Sequence, residues 1–124
     1  MYMVKVAGIL IHYKEEVLLF KRSNKVRYNG NWSVPGGHIE MNENAEQAAK
    51  RETFEETMIM ISGPIDEIGI YDERFALFSK SLDSKVEPVI DEEHDDWGWF
   101  EINNLPSPLA PFVADGIGTI YERK

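Results

Sequence analysis

Two runs near the N-terminus, VKVAGILIHY and EEVLLFKR, are dense in aliphatic and β-branched residues and meet at the polar Lys14-Glu15-Glu16. They predict a pair of strands early in the chain. Residues 23–31, SNKVRYNGN, turn polar and read as a loop carrying Lys25 and Arg27. WSVPGG follows, a brief extended piece broken by Pro35, then two glycines free to adopt backbone angles closed to other residues. Residues 44–57 hold no Gly or Pro and no β-branched residue except two threonines, which predicts the one long helix. PIDEIGIYDERFALFSKSL predicts two strands around Tyr71–Arg74, and DDWGWFEI another. The last stretch, SPLAPFVADGIGTIYERK, reads as a C-terminal helix against which Gly116 and Gly118 count. Strands on both sides of a central helix predict a mixed α/β or α+β domain.

At 100° per residue, Ala45, Ala48, Ala49, Glu52, Glu55, Glu56 and Ile59 fall within one arc of roughly 120°. The alanines suit close packing on a sheet, so the three glutamates lie along the edge of the buried face. Glu46 and Lys50 form an ordinary favourable pair one turn apart, but Glu52 and Glu56 are a like-charge pair near the helix C-terminus, where the dipole also opposes them. Each penalty is only a few tenths of a kcal/mol, so an acidic solvated helix is the competing reading. A divalent cation would reverse the sign of both, because hard cations are held by carboxylate oxygens and keep sites for phosphate and water.

Composition narrows the setting. The chain has 124 residues, 43% of them hydrophobic, enough for one compact domain over residues 1–124 with a real core. No run of about 18 apolar residues spans a bilayer, and MYMVKVAGILIHYKEE lacks the basic start and cleavage site of a signal peptide, so a cytoplasmic location is expected, with no membrane partner. Cysteine is absent, which excludes disulfides, thiolate metal sites and cysteine nucleophiles. The formal charge of −9 argues against stable nucleic-acid binding, which needs clustered Lys and Arg. A small polyanionic substrate would need local positive charge or a divalent cation to approach.

The stretch from Gly37 to Ile59 resembles the Nudix hydrolases, whose signature is G-x5-E-x7-R-E-U-x-E-E-x-G-U, with U a bulky aliphatic residue. Here it reads Gly37, Glu43, Arg51, Glu52, Thr53, Glu55, Glu56, Met58, Ile59. The segments AGILI, LLFKR, WSVPGG and WFEINNLP extend the likeness over most of the chain. The resemblance implies an α+β fold, an α/β/α sandwich with a central mixed sheet and a loop-helix-loop site. It also implies hydrolysis of a nucleoside diphosphate linked to another moiety, with Mg²⁺ or Mn²⁺. Glu52, Glu55 and Glu56 would be metal ligands, with the Gly37 carbonyl a fourth contact. Arg51 would orient or neutralise the carboxylates, and Glu43 would stabilise the loop or helix start. Two positions depart from the pattern. Thr53 replaces an aliphatic residue, and Met58 stands where the family has glycine, so the helix either runs on through TMIMI or has a rearranged exit. Asn42 stands where many relatives carry another glycine, and asparagine tolerates left-handed angles.

Hydrolysis of a pyrophosphate bond also needs a base. The candidates are a glutamate of the cluster, or Glu93 in VIDEEHDDWGWF, with Glu92 as its neighbour; a solvated acidic loop is the alternative. Lys21, Arg22 and Arg27 are the candidate phosphate contacts, with Arg22 the first choice, and His38 could reach the phosphates or cap its turn. Tyr28, Trp32, Phe75 and Trp97 are available to stack on a base. His12 and His94 form no motif with His38. The leading reading is therefore a pyrophosphohydrolase acting on a small nucleotide-type substrate. A Nudix-fold nucleotide-binding or regulatory module without activity is the runner-up, and a calcium-buffering acidic domain the third. Substrate identity and oligomeric state are not legible.

Overall fold

The computed structural model describes residues 3–122; Met1 and Tyr2, at the start of the expected domain, and Arg123 and Lys124, from the stretch expected to be helical, lie outside the described residues. The elements are β1 (Val6–Tyr13), β2 (Glu16–Arg22), β3 (Trp32–Ser33), β4 (Gly36–His38), α1 (Ala45–Thr57), β5 (Asp66–Tyr71), β6 (Phe75–Ser81), β7 (His94–Glu101) and α2 (Val113–Glu122).

All seven strands join one mixed sheet, in which β1 and β6 run parallel and the other pairs antiparallel. β1 and β2 pair only beside their hairpin, from Tyr13 opposite Glu16 to Ile11 opposite Leu18. Beyond that they part: the first half of β1 takes β4 as its partner, and the far half of β2 takes β3. The Pro35-Gly36-Gly37 segment is thereby drawn into the sheet, at the point where the two strands separate.

Alternation along the strands feeds two cores. Ala7, Ile9, Ile11, Leu18, Phe20, Ala76 and Phe78 pack with Ala48 and Ala49 of α1, while Leu10, Val17, Leu19 and Leu77 pack with Val113 and Ile117 of α2. Because the inner strands are covered on both faces, their sequences read as continuous apolar runs. The result is a helix on each side of the sheet, the α+β sandwich that the family resemblance implied. α2 forms despite its glycines. A Cβ at Gly116 would collide with the Leu77 side chain, so the glycine lets α2 lie close to the sheet.

α1 starts and stops on local chemistry. The Asn44 side chain accepts the Gln47 N–H at 2.8 Å and the Gln47 side chain accepts the Asn44 N–H at 2.9 Å, a reciprocal capping box. At the other end the helix does not continue through TMIMI. Met58 takes the left-handed conformation, φ 61°, and its N–H donates to the Phe54 carbonyl at 2.9 Å. Methionine thus holds the backbone geometry usually given to glycine, at a cost on the order of 1 kcal/mol.

Candidate functional site

The separation of β1 from β2 opens a cleft of about 920 Å³ between the glycine strand β4, the last turns of α1, the 24–28 loop and the 110–112 segment. Glu52, Glu56 and Glu93 line it together with Arg22, Lys25, Arg27, His38 and Arg74. Acidic and basic groups from elements far apart in sequence therefore face one space.

Glu56 is 5% exposed, and its Oε1 accepts the Gly36 N–H at 3.4 Å. Burial, then the adjacent Glu52 and the charge of Glu93, push its carboxyl well above the usual carboxylate range. The Glu52 carboxylate presses on the backbone of Gly37, where any Cβ would overlap it. Glycine thus leaves the Glu52 carboxylate its present place. Burial and the neighbouring Asp91 and Glu52 also raise Glu93, while burial lowers Arg22 against the opposing pull of Glu56 and Glu93.

Outside the cleft, Arg51 gathers Glu43 and Glu55 and also reaches Glu52. Its Nε and Nη2 bind the two oxygens of Glu43 at 2.7 and 2.9 Å, its Nη1 lies 3.1 Å from Glu55 and 3.3 Å from Glu52, and Nη2 donates to the His38 carbonyl at 3.0 Å. The hydrogen bonds from Arg51 hold Glu43 down at about 2. Glu43 also accepts the Glu40 N–H at 2.9 Å, so one ion pair joins the loop, β4 and α1.

The predicted residues separate accordingly. Glu52, Glu56, Glu93, Gly37, Arg22, Arg27 and His38 line the cleft; Lys21, Glu43, Arg51 and Glu55 do not. Lys21 is the strand neighbour of Arg22, and consecutive residues of a strand point to opposite faces, so it does not share Arg22's side of β2. Glu55 belongs to the same helical arc by spacing but lies nearer its solvent edge, with its side chain 55% exposed. Glu92 does not line the cleft, and its carboxylate pairs with Lys25 of the cleft wall at 3.2 Å. Of the aromatic candidates, Tyr28 and Phe75 line the cleft, whereas Trp97 packs under α1 and Trp32 sits edge-on to Phe100 on the α2 side.

His94 was not distinguished by the sequence. Its ring is buried against Phe20, Nδ1 lies 3.1 Å from Asp91 Oδ1 and Nε2 lies 3.9 Å from Glu56 Oε1. Burial lowers its pKa, against the opposing influence of Asp91. Asp72, Arg74 and Phe112 of the cleft wall also lacked any motif.

Among the described residues, no three His, Asp or Glu side chains are grouped as a ready-made metal site. The donor set nevertheless fits a hard divalent cation: Glu52 and Glu56 face each other, and burial, then the hydrogen bond and charge of Glu52, drive up the proton affinity of Glu56. A cation between such carboxylates would take the place of that proton. Glu52, Glu56 and the Gly37 carbonyl are the groups closest to hand, and Glu55 would have to leave Arg51 to join them.

The NUDIX domain family model matches residues 1–121. A MutT-like protein of Streptomyces ambofaciens is 35% identical over 72 residues, which are 57% of this chain and 43% of that protein's length. The RNA pyrophosphohydrolase of Rhodopseudomonas palustris (strain BisA53) is 25% identical over 98% of this chain and 84% of its own. In fold, the chain is similar to the MutT NUDIX hydrolase of Burkholderia pseudomallei, with a TM-score of 0.80 and 24% identity over 97% of this chain and 99% of that one. It is also similar to the NUDIX domain of Shewanella oneidensis NrtR, complexed with ADP ribose, with a TM-score of 0.76 and 20% identity over 99% and 89% of the two chains. On the motif, the sandwich and the family match together, this chain belongs to the Nudix hydrolase family.

Proposed function

We propose that the cleft hydrolyses the pyrophosphate bond of a nucleoside diphosphate linked to another moiety, with Mg²⁺ as cofactor and Mn²⁺ as its substitute. The observation that carries this reading is the opposition, across one cleft, of the Glu52–Glu56 pair and the cations Arg22, Lys25, Arg27 and Arg74. A polyphosphate needs positive charge on both sides, and the acidic wall can supply it only through a divalent ion. When bound, that ion would withdraw charge from the phosphate oxygens and lower the pKa of water.

The protein's own groups do the rest. Arg22 and Arg27 bind phosphate oxygens and hold the chain of phosphates in line. Glu93, raised by burial and by its acidic neighbours, accepts the proton of the attacking water. Arg51 and Glu43 fix α1 against β4 so that Glu52 and Glu56 keep their direction. Nucleoside triphosphates, nucleotide-sugars and dinucleoside polyphosphates all present the required bond, and the 24–28 loop and the 110–112 segment choose among them.

The test is hydrolysis across a panel of those three substrate classes with Mg²⁺ or Mn²⁺, beside Glu52→Gln and Glu56→Gln. Metal-dependent turnover that falls at least about 100-fold in both variants is expected. Nucleotide binding without turnover would instead identify a binding module.

A further inference from the structure

His94 opens β7, opposite Arg22 of β2, and its side chain is only 2% exposed. Two bonds tie it to the acidic turn before it, and a third closes the turn on itself. Its Nδ1 lies 3.1 Å from Asp91 Oδ1, its backbone N–H donates to the Asp91 carbonyl at 3.2 Å, and the same Oδ1 accepts the Glu93 N–H at 3.2 Å. Asp91 Oδ1 thus serves as acceptor for two groups, so Nδ1 is the protonated ring nitrogen and Nε2 is left facing Glu56 Oε1 at 3.9 Å. The turn is anchored from outside as well, by the Ser23 N–H on the Glu93 carbonyl at 2.9 Å and the Ser23 hydroxyl on the Glu92 carbonyl at 2.7 Å.

An apolar ring would fill this space against Phe20 without the cost of burying two ring nitrogens. The nitrogens are placed instead between two carboxylates that belong to different elements, Asp91 on the turn and Glu56 on α1. A rigid planar ring, bonded to Asp91 on one side and packed against Glu56 on the other, fixes the distance between α1 and the turn whose Asp91 also holds the Glu93 N–H.

We propose that His94 is a positioning residue: hydrogen-bonded to Asp91 and abutting Glu56, it holds Glu56 and Glu93 at a fixed separation so that both face the cleft together. The proposal rests on the hydrolase reading above.

The experiment compares the intact wild-type chain with His94→Phe, which keeps the ring and its burial, and with His94→Asn, whose side-chain amide can still donate to Asp91. Four quantities are read: kcat and KM on the panel substrate turned over fastest, Mn²⁺ affinity from the paramagnetic resonance of the free ion, and thermal midpoint by circular dichroism. In His94→Phe, kcat should fall about 10- to 100-fold with KM within about twofold, Mn²⁺ affinity should weaken about tenfold, and the midpoint should shift by no more than a few degrees. His94→Asn should recover part of the lost kcat. Wild-type kcat and Mn²⁺ affinity in folded His94→Phe would overturn the proposal, as would losses that follow the midpoint alone and are no smaller in His94→Asn. A wild-type chain that binds Mn²⁺ but hydrolyses nothing would overturn the hydrolase reading, and the Mn²⁺ comparison would still decide the role of His94. No Mn²⁺ binding by the wild type would overturn both.

Discussion

Thr53 sits inside α1 with none of its surface exposed, and its Oγ1 is the one buried side-chain polar atom without a hydrogen-bond partner among the described residues. One turn later Thr57 is equally buried but satisfied, its hydroxyl donating to the Thr53 carbonyl at 2.6 Å. An unbonded buried hydroxyl costs about 1–3 kcal/mol. Thr53→Val keeps the branched shape and removes the hydroxyl, so it should raise stability by about 1 kcal/mol, or ~4 °C in thermal midpoint, as read by circular dichroism. No gain would mean that the hydroxyl is bonded in solution. The departure from an aliphatic residue was visible in the sequence; that the position is wholly buried and unpartnered was not.

At the scale of elements, the ion pair of Arg51 with Glu43 joins the loop before α1 to the helix itself. Glu43 has a folded value of about 2, against about 4.5 for a free glutamate, so the folded protein binds the proton more weakly than the unfolded chain. Its contribution is therefore complete above pH ~4.5 and is lost as the pH falls from there toward 2. Glu43→Gln should flatten the decline of the thermal midpoint across that window and lower the midpoint at pH 7. An unchanged acid profile would show that the pair does not form in solution. The boundaries of α1 were nearly legible, since Asn44, the Gly-free run and the start of TMIMI are local signals. The manner of its exit was not, because nothing in the text says that Met58 adopts φ 61° where the helix could have continued.

For the whole molecule, the decisive electrostatic fact is that acids from α1 and from the 91–93 turn share one cleft. The raised Glu56 carboxyl means that the folded, metal-free protein keeps a proton which the unfolded chain releases above pH ~4.5. Stability without metal should thus decline as the pH rises from there. Mg²⁺ should raise the thermal midpoint, and by more at pH 8 than at pH 5, because it substitutes for that proton; Glu56→Gln should lose most of this dependence. A shift equal at both values would exclude Glu56 as the linked group. By itself the sequence determined the strand runs of the inner sheet, the extent of α1, and the acidic and basic residue types the site would need, because those signals lie in local periodicity and in spacing along one helix. It left α2 in doubt, since Gly116 reads as a breaker until Leu77 is seen to occupy the space a side chain would take. Only the tertiary structure decided which of those residues meet: Arg22 and not Lys21, Glu93 and not Glu92, and Glu55 turned out toward Arg51. The same holds for His94, which stands in an acidic block with no motif partner until β2–β7 pairing and the packing of α1 bring it to Glu56. The reason is physical: spacing along a chain fixes which face of an element a residue occupies, but the neighbour across that face is set by strand register and helix docking, which join residues distant in sequence.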